Sequence, residues 1–194
     1  MSGILSQIAP FFTGGVFGAA VLWGIQEYVR SHRDKTARER AASYLAMRLA
    51  VLFEAYALEC ANRIEEVGIH RSSGVRGIQL PKAIVLPDST YWEYLRHDLA
   101  ERALTFSNVA QHAAGAIEFV SSLENDPDAT AVAFADQAGM VGMRAWTLAC
   151  DLRSAYQVRP FRKEDLGWDF VDTLARAKRA AQERRVAGNA AVEA

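Results

Sequence analysis

The sequence predicts an all-α protein, with one transmembrane helix at its amino terminus followed by a helical bundle of about four to five helices. Three observations carry that expectation. The chain opens on a charge-free apolar run, a cluster of basic residues follows it at once, and the remainder repeats apolar residues at steps of three and four. With 194 residues, 51% apolar and 23% charged, there is enough chain for one well-buried domain and an appendage. The expected division is an anchor over residues 1–29, a helical domain over 30–185 and a disordered tail over 186–194.

From Met1 to Gln26 no side chain is charged, and Ser6, Gln7 and Thr13 are the polar interruptions between Ile4 and Ile25. As a helix this run is about 33 Å long, enough to cross a hydrocarbon core of about 30 Å. Pro10, Gly14, Gly15, Gly18 and Gly24 lower its helix propensity, yet both residue types are commoner in membrane helices than in soluble ones. Gly14, Gly15, Gly18 and Ala19 place small residues at spacings of four, the pattern by which two membrane helices approach closely. A homodimer through this face is one expectation. A buried amino-terminal helix, or one held by another subunit of a soluble oligomer, is the competing explanation of the same run.

Orientation follows from the flanks, because lysine and arginine beside a span stay in the cytoplasm. No basic residue precedes the run, whereas Arg30, Arg33, Lys35, Arg38 and Arg40 follow it. The amino terminus is therefore expected outside and the bulk of the chain in the cytoplasm, at the inner (plasma) membrane. A cleaved signal peptide has its positive charge before the apolar stretch, the reverse of this order. Arginine exceeds lysine and alanine is abundant, as in a GC-rich and thus bacterial coding genome.

No Gly or Pro interrupts Ile25 to Val67, so the first helix is expected to continue without a hinge into an amphipathic segment. Leu45, Leu49, Leu52, Phe53, Tyr56, Cys60, Ile64 and Val67 form its apolar face, with Arg48, Glu54, Glu59, Arg63 and Glu66 between them. Residues 68–88, with three glycines and two prolines, read as a long loop, within which Lys82–Leu86 has the makings of a short strand. Thr90 to Glu93 matches a capping box, after which Trp92, Leu95, Leu99 and Ala103 line a short helix. A break is expected near Thr105–Asn108, before Phe106, Val109, Ala113, Ile117, Val120 and Leu123. Asp126–Pro127 is a helix start with Pro at the first position. The following stripe, Phe134, Ala138, Val141, Ala145, Leu148, Leu152 and Tyr156, is the most regular in the chain. Pro160 ends it, and Trp168, Val171, Leu174 and Ala175 begin a last helix whose far end carries Arg176, Lys178, Arg179, Arg184 and Arg185. Solvation and the helix dipole account for those cations, with anionic lipid headgroups as the alternative.

Net charge is -1 and the isoelectric point is near 6.4, so no overall field draws the chain to nucleic acid. The four histidines, His32, His70, His97 and His112, show no zinc or di-iron spacing. Glu93 and His97 are four apart, as for a contact on one helix face. No serine-nucleophile elbow and no phosphate-binding glycine loop is present. Cys60 and Cys150 are expected on apolar helix faces, as inert thiols. The stretch QHAAGAIEF around His112 resembles a histidine phosphotransfer domain in its histidine and nearby glycine. It departs where such domains carry lysine and then glycine, positions held here by Gly115 and Ala116. No catalytic, cofactor-binding or metal residue is therefore assigned, and none of these cofactors is expected. The expectation is a scaffold or interaction protein with membrane lipid and a protein partner or second copy as its contacts. A signalling or enzymatic domain of unfamiliar type is the alternative.

Overall fold

The structure is a computed structural model that describes residues 9–69, 79–124, 126–162 and 166–193, with the side chains of 9–26, 29, 31, 124 and 191–193 outside the description. The described residues form an all-α fold with four α-helices and no strand: α1 (Ala9–Ile69), α2 (His97–Glu124), α3 (Pro127–Ala155) and α4 (Phe170–Glu193). The chain divides into two units, 1–41 and 42–194. In the first, the described residues belong to α1, on which Arg30, Arg33, Lys35, Arg38 and Arg40 are exposed. Gly14, Gly15, Gly18 and Ala19 lie in α1 too, but their packing falls outside the described residues, as do all contacts of the Ile4–Ile25 run.

In the second unit the apolar stripes meet in one core. Leu45, Leu49, Phe53 and Cys60 of α1, Leu99 and Phe106 of α2, Phe134, Leu148 and Leu152 of α3, and Phe170 and Leu174 of α4 are all nearly or fully buried. Phe106 stands edge-on to both Phe53 and Tyr56, with ring centroids 5.0 and 5.2 Å away.

Contacts along the helices fix their directions. Arg102 near the start of α2 pairs with Asp151 near the end of α3, and only residues 125–126 join the two, so they form an antiparallel hairpin. Gly142 approaches Leu174 and Gly139 approaches Ala177, which sets α4 antiparallel to α3. Cys60 lies beside Gly142 while Glu54 meets Arg153, so α1 also runs against α3. Helices α1, α2 and α4 therefore point one way and α3 the other. Parallel neighbours α1 and α2 need a connection that returns along the bundle. Residues 79–96 supply it. Arg63 donates to the Gln79 carbonyl at 2.6 Å, and residues 88–91 lie beside Tyr44 and Arg48, so this strap descends alongside α1. Buried Leu80 and Leu95, with Ile84, Leu86 and Trp92 against the core, hold it down.

The two close helix contacts explain two glycines. A Cβ at Gly142 would sit 2.6 Å from Leu174 Cδ2, and one at Gly139 2.9 Å from the backbone nitrogen of Lys178. Asp126 caps α3 by accepting from Asp128 N at 2.9 Å, as its sequence predicts. After Ala155 the chain turns through Gln157 at φ 52°, with Val158 N returning to Arg153 O at 2.9 Å.

Several local expectations are corrected. Lys82–Leu86 forms no strand: Ile84 and Leu86 pack against the helical core, Val85 faces out, and no partner strand lies beside it among the described residues. The Thr90–Glu93 pattern caps no α-helix: it leads into a single 3-10 turn, Trp92–Tyr94, and Leu95 is extended. Trp92 instead donates its indole N–H to Pro87 O, which folds the turn back on the strap. Helix α2 starts at His97 and runs unbroken through Thr105–Asn108, where Thr105 Oγ1 bonds back to Glu101 O and leaves the ladder intact. Helix α4 runs from Phe170 to Glu193.

Candidate functional site

Among the described residues of the second unit, the histidines singled out in the sequence do not converge. His97 and His112 are both exposed on α2, and His32 is exposed on α1, where its ring bonds locally to Thr36. His70 lies outside the described residues. Glu93 and His97 fall on different elements, the 3-10 turn and α2, so they do not share a helix face. Among the described residues no group of three or more His, Cys, Asp or Glu is placed to hold a metal ion. Cys60 is buried, and burial pushes its thiol up to about 12. Cys150 is exposed, contrary to expectation, because it falls on the outer side of α3 between core residues Leu148 and Leu152. The basic end of α4 lies beside the start of α3, since Arg184 pairs with Asp136. That is the opposite end of the second unit from Ser43, which donates to Tyr156 O after α3.

The structure buries one charge that the sequence placed on a polar face. Glu54 is 4% exposed in the α1–α3 contact. Arg153 binds both its oxygens, Nε at 2.5 Å and Nη2 at 2.8 Å, and a third guanidinium nitrogen donates to Arg159 O. Donating to the Glu54 carboxylate raises the Arg153 guanidinium pKa above its ordinary range against the opposing cost of desolvation. Geometry of this kind fixes helix register. Tyr56 is also buried, and its hydroxyl has no hydrogen-bond partner there. Desolvation raises its pKa well above the usual phenol range.

A surface site forms where the strap passes α1. Tyr44, Leu45 and Arg48 from α1 and Asp88, Ser89, Thr90 and Tyr91 from the strap line an open hollow of about 330 Å³. Helical spacing puts Tyr44 and Arg48 one turn apart, with the Arg48 guanidinium 6.0 Å from the Tyr44 ring centroid. Ser89 Oγ accepts from Tyr91 N at 3.1 Å and turns the strap, and Tyr91 stacks on Tyr94 at 6.1 Å. Arg48 and Asp88 line the same hollow, yet neither makes a hydrogen bond or ion pair with a described residue. Above it, Tyr44, Met47 and Val51 form an exposed apolar stripe on α1, opposite its core stripe. The arrangement offers contact chemistry: two aromatic faces, one cation, one anion and four hydroxyls, with no nucleophile paired to a base.

The hollow itself did not stand out in sequence. Tyr44, Met47 and Val51 gave a signal, as apolar positions at steps of three and four beyond those that one buried face needs. Arg48 and Asp88 gave none, because only the path of the strap brings them together.

Among the described residues, the helical stretch long and apolar enough to cross a membrane is His32–Ile69, and half of its apolar window is buried. Leu45 to Val67 within it line the core of the second unit. No family model, no curated protein and no solved structure matches the chain.

Proposed function

We propose that the chain tethers a helical interaction domain to the inner face of a bacterial plasma membrane, with its amino terminus outside, and that it works by contact and not by catalysis. The observation that carries this reading is the charge-free run Ile4–Ile25, after which Arg30, Arg33, Lys35, Arg38 and Arg40 outnumber Glu27, Asp34 and Glu39. Exposure of Arg30, Arg33, Lys35, Arg38 and Arg40 on α1 supports it, since juxtamembrane cations must reach water or headgroups. The filled core and the exposed positions of His97 and His112, each on α2 without a carboxylate partner among the described residues, support a binding role over a reaction site. Anchoring raises the effective concentration of the domain at the membrane surface, so a modest contact suffices to hold its partner. Nucleic acid is not among the proposed partners.

Reporter fusions test the topology. We expect green fluorescent protein at the carboxyl terminus of the full-length chain to fluoresce in a bacterial host, and alkaline phosphatase there to be inactive. Active phosphatase with dark fluorescent protein places the carboxyl terminus outside and overturns the proposed orientation.

A further inference from the structure

We propose that the face formed by Tyr44, Met47, Val51 and Tyr91 with Arg48 and Asp88 joins two copies of this chain in a two-fold symmetric dimer. This deepens the interaction-domain reading and rests on it, but it needs no membrane span.

The apolar part of the argument is the second stripe of α1. Tyr44, Met47 and Val51 are 58%, 38% and 51% exposed, on the side of the helix turned away from Leu45, Leu49 and Phe53. A helix of a solitary bundle carries polar residues there. Tyr91, 45% exposed on the adjacent strap, extends the same surface across the hollow. Contiguous aromatic, methionine and aliphatic side chains of this kind form the desolvated centre of protein interfaces.

The charges decide the occupant. Arg48 and Asp88 sit on one small patch, and neither makes a hydrogen bond or ion pair with a described residue. A partner surface of single sign would attract one and repel the other. A two-fold axis repeats every contact, so residue i of one copy meets residue j of the other and the reverse. Arg48 then meets the partner copy's Asp88 while Asp88 meets the partner copy's Arg48, and both are satisfied together. The axis then passes through the hollow between Arg48 and Asp88, so the two ion pairs lie beside it and the Tyr44, Met47 and Val51 stripe of each copy extends outward from them along α1.

The test uses the full-length chain in maltoside micelles, with mass measured by size exclusion and light scattering over a dilution series. We expect a dimer. Arg48→Asp and Asp88→Arg, each alone, place like charges across the axis twice and weaken it by about tenfold or more. An equimolar mixture of those two variants regains the dimer, because in the mixed pair each reversed charge meets its opposite. Val51→Glu weakens the dimer independently, and circular dichroism confirms that each variant keeps its helix content. A monomeric wild type overturns the proposal. So does a dimer that both reversals leave unchanged, or a mixture no tighter than either variant alone. A dimer insensitive to these changes but lost on altering Gly14 and Gly18 would leave the membrane anchor standing and remove this face.

Discussion

Arg153 grips Glu54 through two nitrogens across the α1–α3 contact, at 2.5 and 2.8 Å, and it does so where both side chains are largely withdrawn from water. Removing one partner strands the other charge in the core. We expect Arg153→Met to cost about 3–5 kcal/mol and the double change Glu54→Leu with Arg153→Met to recover most of it. Urea unfolding of the three proteins, followed by tryptophan fluorescence, gives both numbers. A single variant within 1 kcal/mol of wild type, on the order of an exposed pair, would show that the contact is solvated.

Tyr56 presents the opposite case, a buried hydroxyl without a partner. Its ring packs edge-on to Phe106 and its oxygen adds only a desolvation cost. Tyr56→Phe keeps the ring, so we expect stability to rise by about 1 kcal/mol and the Tm with it. Differential scanning calorimetry checks this, and a loss of stability would mean that the hydroxyl has a partner.

Glycines should divide by their surroundings. Gly139→Ala drives a methyl group against Ala177 and the Lys178 backbone, and backbone cannot step aside. We expect a loss of about 1–3 kcal/mol despite the gain in helix propensity. Gly115, with nothing within 4 Å of its Cβ position, should gain about 1 kcal/mol on replacement by Ala. Chemical denaturation of the pair tests both signs, and equal effects at the two sites would contradict the α3–α4 contact.

The two thiols should behave differently. Cys150 is exposed and Cys60 buried, so a thiol reagent at pH 8 is expected to modify Cys150 rapidly and Cys60 only on unfolding. The folded Cys60 thiol titrates at about 12, while the unfolded one titrates near 8.5. Between those values the unfolded state has released a proton that the folded state retains, so stability falls as pH rises, by up to about 1.4 kcal/mol per unit. Below pH 8 this contribution is constant. Unfolding midpoints at pH 8 and pH 10 should therefore differ more for wild type than for Cys60→Ala, and an equal difference would contradict the burial.

The legible parts of the fold are those with uniform local signals. Asp126–Pro127 and the stripe from Phe134 to Leu152 give α3 its start and buried face, because cap, helix and core agree within one segment. The unbroken stretch after Ile25 likewise yields the continuous α1. Burial of Glu54 was hidden because its partner lies 99 residues away, so the carboxylate looks like any other charge beside an apolar stripe. Thr90–Glu93 misled because Trp92, bonded to Pro87 O, takes the chain into a turn before any α-helix begins. The strap could not be read from periodicity, since its path is set by Leu80 and Leu95 docking on helices distant in sequence. For the same reason the hollow holding Arg48 and Asp88 was invisible, although the spare stripe Tyr44, Met47 and Val51 was written in α1.

Alkaline extraction of membranes from cells expressing the full-length chain bears most directly on the membrane tether. An integral helix remains in lipid when peripheral contacts are stripped by high pH, so we expect the chain in the pellet. Release into the supernatant would contradict the tether and its orientation, and would assign the run Ile4–Ile25 to a protein interface or a peripheral helix.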